Sequence, residues 1–170
     1  MLLVGGASRR FGSPKALARL GDETLAERAW RILGEVFDER IAVGKAGELE
    51  LPFAVVDDAA DVRAPLAGIV RGLGAVEADF AVFLPVDVPL VDAATLRALA
   101  DACREAAVTQ TGPLPVAFAR SAFPELEARL RRCDLRLGDA IAALDTAVVR
   151  VDAALLANVN EPADLARLGG

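Results

Sequence analysis

Short apolar runs alternate with longer segments of helical period along most of the chain. The runs are rich in valine, isoleucine, leucine and phenylalanine, and they lie at residues 2–4, 41–43, 53–56, 80–84, 116–118 and 147–151. Because these runs are apolar on both faces, we expect strands that are covered on both sides, as in a parallel sheet. The pattern therefore predicts an α/β fold, a three-layer sandwich with a mainly parallel sheet.

Helix-start signals lie in the gaps between the predicted strands. Thr24 opens a capping-box sequence, and Asp92 and Ser121 each precede a segment of helical period, so each is predicted to cap a helix. Pro162 is predicted to begin a terminal helix that ends at Gly169. The chain has no repeat, low-complexity tract or linker, so its 170 residues are expected to form one domain, residues 1–170.

The absence of histidine limits the chemistry available to this chain. Ser-His-Asp triads, Cys-His pairs, imidazole zinc ligands and histidine general bases are excluded, so acid–base or metal chemistry must use carboxylates, lysine or arginine. The net charge of −6 argues against nucleic acid or an anionic membrane as the main partner. The two cysteines lack zinc-type spacing, and the sequence shows neither a spanning segment nor a secretory signal, so we expect a cytoplasmic protein.

Glycines and carboxylates follow the predicted strands. In an open parallel sheet, ligands bind beyond the carboxyl ends of the strands, where loops lead into helices. This edge of the sheet is therefore predicted to carry the functional site. The residues after the first four strands are Gly5-Gly6, Gly44, Asp57-Asp58 and, beyond Pro85 and Val86, Asp87.

The loop between residues 5 and 15 has the composition of an anion-binding loop. Its glycines can bring main-chain N–H groups close to a ligand, and Arg10 and Lys15 add positive charge. Only two of the 19 cationic residues are lysines, Lys15 and Lys45, and a compact ammonium suits a triphosphate in a tight loop. The loop lacks both the Gly-Lys-Ser/Thr of a Walker A motif and the GxGxxG dinucleotide pattern. A solvated turn with surface arginines remains the alternative.

Asp87 lies between Pro85 and Pro89 after a fully apolar strand, so its carboxylate leaves the sheet on a stiffened segment. One rigid carboxylate together with phosphate oxygens is a common way to hold Mg²⁺. A carboxylate about 4 Å from a polyphosphate would otherwise cost on the order of 4 kcal/mol at an effective dielectric of about 20. A cation between them is therefore required if both are present. The alternative is that Asp87 only caps the turn before Pro89.

Three further pairs are weaker candidates. Adjacent aspartates on an extended chain point in opposite directions, so only one of them can face the site, and a turn role stays open for both. Two asparagines separated by one residue share a face and can read a polar heterocycle or a sugar, although turn chemistry explains them equally well. An arginine–aspartate pair could reach a second anionic substrate. These pairs are Asp57 and Asp58, Asn158 and Asn160, and Arg136 and Asp139.

Five motifs occur in order along nearly the whole chain. They are Leu-x-Gly-Gly-x-Ser-x-Arg-x-Gly-x-x-Lys at 3–15, Pro-Leu-Ala-Gly at 65–68, Asp-Val-Pro at 87–89, Gly-Pro-Leu at 112–114 and Asn-Val-Asn-x-Pro at 158–162. Together they resemble the molybdenum cofactor guanylyltransferases of the nucleotidyltransferase A superfamily. The resemblance implies a Rossmann-like α/β/α fold that transfers GMP from GTP to the molybdopterin cofactor, with Mg²⁺ as cofactor and pyrophosphate as second product. Transient contact with cofactor-delivering or molybdoenzyme-maturation proteins is compatible with it.

The resemblance also implies roles for individual residues. Asp87 would bind Mg²⁺, Lys15 would contact phosphate, and Asn158 and Asn160 would lie near the molybdopterin. Asp58 is a better match than its neighbour to a nucleotide-contacting aspartate of the family. The implied catalytic residues are Arg10, Lys15 and Asp87, and the implied nucleotide-binding residues are Leu3, Val4, Gly5, Gly6, Ser8, Gly12, Lys15, Asp58 and Asp87.

The choice of base rests on a few of these positions. Gly44 has no side chain where family members often carry an asparagine that contacts the nucleotide, and the usual histidine before Pro113 is absent. Gly5-Gly6 and Asp-Val-Pro at 87–89 nevertheless look more like the guanylyltransferases than the Ala-Gly and Asp-Gln-Pro of the sister cytidylyltransferases. A cytidylyltransferase, another transferase acting on a small phosphate and a non-catalytic nucleotide-binding regulator stay open as alternatives.

Overall fold

A mostly parallel sheet lies at the centre of the fold. The computed structural model describes residues 1–4, 11, 14–45, 47, 49–58 and 64–168. The sheet strands in chain order are β1 (Leu2–Leu3), β4 (Ala42–Gly44), β5 (Val55–Asp57), β6 (Phe80–Pro85), β7 (Ala106–Thr109), β8 (Val116–Ala119) and β9 (Thr146–Val149), and a separate hairpin holds β2 (Arg19–Leu20) and β3 (Glu23–Thr24).

The strand order across the sheet is β5-β4-β1-β6-β8-β7-β9. β8 runs antiparallel to both of its neighbours. The other neighbouring strands pair in parallel, and the predicted mainly parallel sheet is confirmed.

Helices cover both faces of the sheet. The helices are α1 (Leu25–Gly34), α2 (Pro65–Gly74), α3 (Ala93–Ala102), α4 (Phe123–Arg131), α5 (Leu137–Ala142) and α6 (Pro162–Leu168). Leu2 packs in one apolar cluster with α1 and α3, while Leu3 packs in a second cluster with α2, α4 and α5, since successive strand residues point to opposite faces. The predicted three-layer α/β/α sandwich is confirmed.

Two of the three predicted helix caps are confirmed. Thr24 closes a capping box at the start of α1, and the Asp92 carboxylate accepts a hydrogen bond from the Thr95 amide at 2.8 Å at the start of α3. Hydrogen bonds from Thr95 lower the pKa of Asp92. The prediction for Ser121 is wrong, because this residue lies inside a 3₁₀ turn and α4 begins two residues later without a side-chain cap.

Pro162 begins the terminal helix as predicted, and α6 extends to Leu168. Its predicted end at Gly169 lies outside the described residues. Across the described ranges, the helices are all too short or too polar to span a membrane.

The sequence analysis missed strand β7 and the β2–β3 hairpin. Two of the four β7 residues are alanines, which favour strands weakly, and the strand is defined instead by pairing with β8 and β9. The hairpin has strands of only two residues, too short for an alternating pattern. Gly21 forms its turn with a φ of +66°, a conformation that favours glycine over residues with a Cβ.

Candidate functional site

Four parallel strands, β5, β4, β1 and β6, end at the same edge of the sheet. Leu3 lies beside Val43 on one side and Pro85 on the other, and Gly44 lies beside Asp57. The segments that follow these strands therefore emerge side by side, at the edge where open parallel sheets bind ligands. Leu3 and Val4 themselves are buried, so any contact they make with a ligand must use the main chain.

Lys15 and Asp87 lie together at this edge. The Lys15 ammonium is 3.5 Å from a carboxylate oxygen of Asp87, although 72 residues separate the two in sequence. Their side chains are 14% and 31% exposed, so both are largely covered by protein but remain accessible to solvent. At this distance the ammonium balances the charge of the carboxylate without a tight hydrogen bond.

Lys15 is placed by local structure. It begins a 3₁₀ turn, Lys15–Leu17, directly after Pro14, and the neighbouring Ala16 is buried in the core. The predicted loop residues before it, Gly5, Gly6, Ser8, Arg10 and Gly12, lie outside the described residues.

The turn that carries Asp87 is fixed from two sides. The main-chain carbonyl of Asp87 accepts a hydrogen bond from the Val159 amide at 2.8 Å. The Arg28 guanidinium, on α1, donates to the carbonyl of Pro89 at 2.7 Å. Val86 and Val88 on either side of the carboxylate are buried. Asp87 is thus held on a rigid segment, and sequence analysis missed Arg28 because its partner is a main-chain atom 61 residues away.

A cleft of about 300 Å³ opens beside Asp87. The hydrogen bond between Val159 and the Asp87 carbonyl brings Asn158 into the wall of this cleft. Asn160 does not share that position. It is exposed, and its main-chain N–H donates to the Asp164 carboxylate at 2.7 Å in the turn that begins α6. The lining residues are Pro85, Asp87, Thr111, Gly112, Pro113, Leu114, Leu156 and Asn158.

A second lysine–aspartate pair lies on the other side of β1. The Lys45 ammonium donates to the Asp58 carboxylate at 2.5 Å, and the side chains are 23% and 10% exposed. The Asp58 amide donates to the carbonyl of Gly44 at 2.9 Å. Asp57 is exposed, and its carbonyl accepts from Arg71 at 3.2 Å. The Asp58 side chain is therefore held in place at the sheet edge.

Other sequence candidates lie elsewhere. Arg136 and Asp139 are exposed at the start of α5, and neither lines the cleft. Within the described ranges, no three histidine, cysteine, aspartate or glutamate side chains are grouped so that they could hold a metal ion. Among the described residues that line the cleft, Asp87 is the one carboxylate, and a single carboxylate together with phosphate oxygens and water is a common way to hold Mg²⁺.

Similar sequences point to one family. The MobA-like NTP transferase domain model matches residues 1–149. A protein of Opitutus terrae named "probable molybdenum cofactor guanylyltransferase" is 34% identical over 155 residues, which cover 84% of this chain and 77% of that protein. A protein of the same name from Methanothermobacter thermautotrophicus is 31% identical over an alignment 189 positions long, which covers 96% of this chain and 95% of that protein.

A solved structure shows the same fold. The molybdopterin-guanine dinucleotide biosynthesis protein A of Archaeoglobus fulgidus superposes with a TM-score of 0.80 over 98% of this chain and 94% of that one, at 23% identity. This likeness concerns the fold alone, and it agrees with the three-layer α/β/α sandwich described above.

Proposed function

Because this chain belongs to the family of MobA-like NTP transferase domains and is therefore a nucleotidyltransferase, we propose that it transfers GMP from GTP to the molybdopterin cofactor. The names of the two relatives described above, from Opitutus terrae and Methanothermobacter thermautotrophicus, support this reaction. The observation that carries the proposal is the 3.5 Å approach of Lys15 to Asp87 beside a cleft. A cation and a carboxylate at the carboxyl edge of a parallel sheet are suited to holding a nucleoside triphosphate and its metal ion.

In the proposed reaction, a terminal phosphate oxygen of molybdopterin attacks the α-phosphorus of GTP. The new bond joins that oxygen to the α-phosphorus, and the bond between the α-phosphorus and the bridging oxygen of the β-phosphate breaks. The leaving pyrophosphate keeps the electron pair. A phosphate nucleophile is already ionised at pH 7, so no general base is required, in keeping with a chain that lacks histidine. Catalysis then consists of positioning and charge neutralisation.

Lys15 and Asp87 divide the charge neutralisation between them in this proposal. Asp87 fits a magnesium site because it is a carboxylate on a rigid segment, partly exposed beside the cleft. Mg²⁺ held there would neutralise charge on the reacting phosphates. Lys15 would then turn from Asp87 to the phosphates, which the flexible stem of a lysine allows. The loop before Lys15 is also proposed to contact the phosphates, and this part of the proposal rests on the sequence analysis alone. Its residues are Gly5, Gly6, Ser8, Arg10 and Gly12.

The cleft beside Asp87 is the proposed acceptor site. Asn158 contributes an amide to its wall, where it can donate to and accept from a polar ring. Asn160 does not line this wall, and its main-chain N–H donates to Asp164 in the turn before α6. We therefore propose the direct contact for Asn158. Residues 1–170 act as one nucleotidyltransferase domain in this proposal.

The proposed activity is tested by incubating the protein with Mg²⁺, molybdopterin and, in separate reactions, GTP, CTP, ATP or UTP. We expect the guanine dinucleotide and an equal amount of pyrophosphate, with GTP preferred over CTP by at least about tenfold in kcat/KM. A preference for CTP would identify a cytidylyltransferase instead. Transfer only to a different small phosphate would replace molybdopterin as the acceptor, and nucleotide binding without pyrophosphate release for any acceptor would indicate a regulator.

A further inference from the structure

Lys15 and Asp87 lie on two separate turns. The Lys15 turn (Lys15–Leu17) precedes α1, and the Asp87 turn (residues 86–89) directly follows β6. The flexible stem of a lysine and a contact at 3.5 Å do not by themselves fix the distance between the two turns. Catalysis by positioning and charge neutralisation nevertheless needs both groups at a set spacing around the nucleotide. Other contacts are therefore expected to hold the two turns together.

The first turn of α1 is tied to the Lys15 turn. The Ala18 amide donates to the Lys15 carbonyl at 3.0 Å, and the Ala18 carbonyl accepts from the Leu25 amide at 2.8 Å. Between these two bonds the chain forms the β2–β3 hairpin, and α1 begins directly after it. The Lys15 turn, the hairpin and the start of α1 therefore form one connected unit.

Arg28 connects this unit to the Asp87 turn. Its Nε, on α1, donates to the carbonyl of Pro89 at 2.7 Å. Another nitrogen of the same guanidinium lies 3.8 Å from the Glu23 carboxylate on β3. A hydrogen bond from a charged donor is stronger than one between neutral groups. Arg28 thus links the hairpin that follows Lys15 to a residue two positions beyond Asp87.

The contact from Arg28 acts on the main chain of the Asp87 turn. The buried side chains of Val86 and Val88 hold this turn to the core. The bond from the Val159 amide to the Asp87 carbonyl, at 2.8 Å, holds it to the segment before α6. Arg28 holds the same turn to the unit that carries Lys15, so it connects the two halves of the proposed catalytic pair.

On the basis of the proposed function, we propose that Arg28 is a positioning residue, which keeps the Asp87 turn in register with the Lys15 turn around the bound nucleotide. It acts through its hydrogen bond to the Pro89 carbonyl and takes no part in the bond-making step. A misplacement of about 1 Å between positioned groups can lower a rate by about a hundredfold. The rate of transfer therefore depends on a side chain that does not touch the substrates.

The test uses two substitutions that keep the length of the side chain as far as Nε. Arg28→Met puts a methyl group at the position of Nε and removes the donor, whereas Arg28→Gln puts an amide nitrogen there and keeps a donor without the charge. We expect Arg28→Met to lower kcat by about tenfold to a hundredfold, with the KM for GTP within about threefold of the wild type. Arg28→Gln is expected to keep kcat within about fivefold, because its side-chain N–H still bonds to Pro89.

Arg31→Met is the matched control. Arg31 also lies on α1, and it pairs with the same Glu23 at 2.8 Å and with Glu35 at 2.7 Å. Its loss therefore breaks an ion pair with the hairpin while the bond from Arg28 to Pro89 stays in place. We expect this variant to turn over at the wild-type rate. If Arg31→Met lowers kcat as much as Arg28→Met does, the positioning role is overturned.

Hydrogen exchange of the Val159 amide tests the same role without an activity measurement. This amide donates to the Asp87 carbonyl, so it exchanges when the Asp87 turn opens. We expect its exchange in the ligand-free protein to be at least about tenfold faster in Arg28→Met, the value of one hydrogen bond to a charged group. Arg31→Met is expected to exchange at the wild-type rate.

The proposal can fail independently of the proposed function. A wild-type kcat in folded Arg28→Met overturns it even when transfer to molybdopterin is observed. So does a loss that lies entirely in the KM for GTP, or a loss in Arg28→Gln as large as in Arg28→Met, because either result would make the guanidinium a ligand of the nucleotide. If no transfer is observed, Val159 exchange decides: equal rates in Arg28→Met and the wild type overturn the proposal, and a faster rate in Arg28→Met alone supports it. Should Arg28→Met fail to fold, kcat and Val159 exchange in Arg28→Gln remain decisive.

Discussion

Replacing Asp87 with alanine is expected to reduce kcat/KM for nucleotidyl transfer by at least about a hundredfold and to leave the fold intact. The loss follows from removing the carboxylate proposed to hold Mg²⁺, because electrostatic groups at a transition state typically contribute factors of about 10² to 10³. The cost in stability is small, since a partly exposed ion pair at 3.5 Å contributes at most about 1 kcal/mol. The main-chain bond from Val159 to residue 87 does not depend on the side chain.

The measurement is pyrophosphate release with GTP, Mg²⁺ and molybdopterin, alongside the thermal unfolding midpoint. Asp145→Ala is a suitable control, because Asp145 also pairs with a cation, Arg104 at 2.7 Å, and lies next to β9. We expect that control to turn over at the wild-type rate. Turnover of Asp87→Ala within about fivefold of the wild type, well short of the loss that an electrostatic group predicts, would remove Asp87 from the metal site.

Lys15→Met is expected to lower kcat by about a hundredfold, since the ammonium is proposed to stabilise the leaving pyrophosphate. Methionine keeps the unbranched stem of the side chain, which is 14% exposed, so packing changes little. Lys15→Arg is expected to recover less than about a tenth of the activity, because a planar fork does not replace a compact ammonium in a confined position.

Single-turnover measurements with saturating GTP separate this effect from nucleotide binding. The expected result is a slow chemical step with a nearly unchanged unfolding midpoint. Arg104→Met, which removes an exposed partner of Asp145, should react as fast as the wild type. Full activity in Lys15→Arg would mean that any cation at this position is sufficient, and full activity in Lys15→Met would remove Lys15 from the reaction.

Much of the fold could be predicted because strands that are buried on both faces appear in the sequence as continuous apolar runs. The 80–84 run became the long strand β6, and Asp92 caps α3 as its position suggested. β7 was missed because its alanines do not favour strands, so its pairing with β8 and β9 is a long-range effect. Ser121 failed as a cap because it lies inside a 3₁₀ turn that leads directly into α4.

The candidate site was predictable where a side chain follows a strand directly. Asp87 and the Asp57–Asp58 pair were singled out because they follow predicted strands, and the preference for Asp58 came from the family resemblance. The structure places Asp87 and Asp58 at the same edge of the sheet, each with a lysine beside it. Lys45 carried the same signal, since it directly follows β4 and is one of only two lysines. The sequence gives no comparable signal for Arg28, because it does not reveal that a guanidinium on α1 donates a hydrogen bond to a main-chain carbonyl after β6.

A crystal structure with GTP and Mg²⁺ tests most directly whether Lys15 and Asp87 meet across a shared polyphosphate. We expect the Lys15 ammonium to have left Asp87 for a phosphate oxygen, and the Asp87 carboxylate to bind the metal at about 2.1 Å. GTP bound at another surface, with the 3.5 Å contact between Lys15 and Asp87 unchanged, would contradict the proposed transferase site.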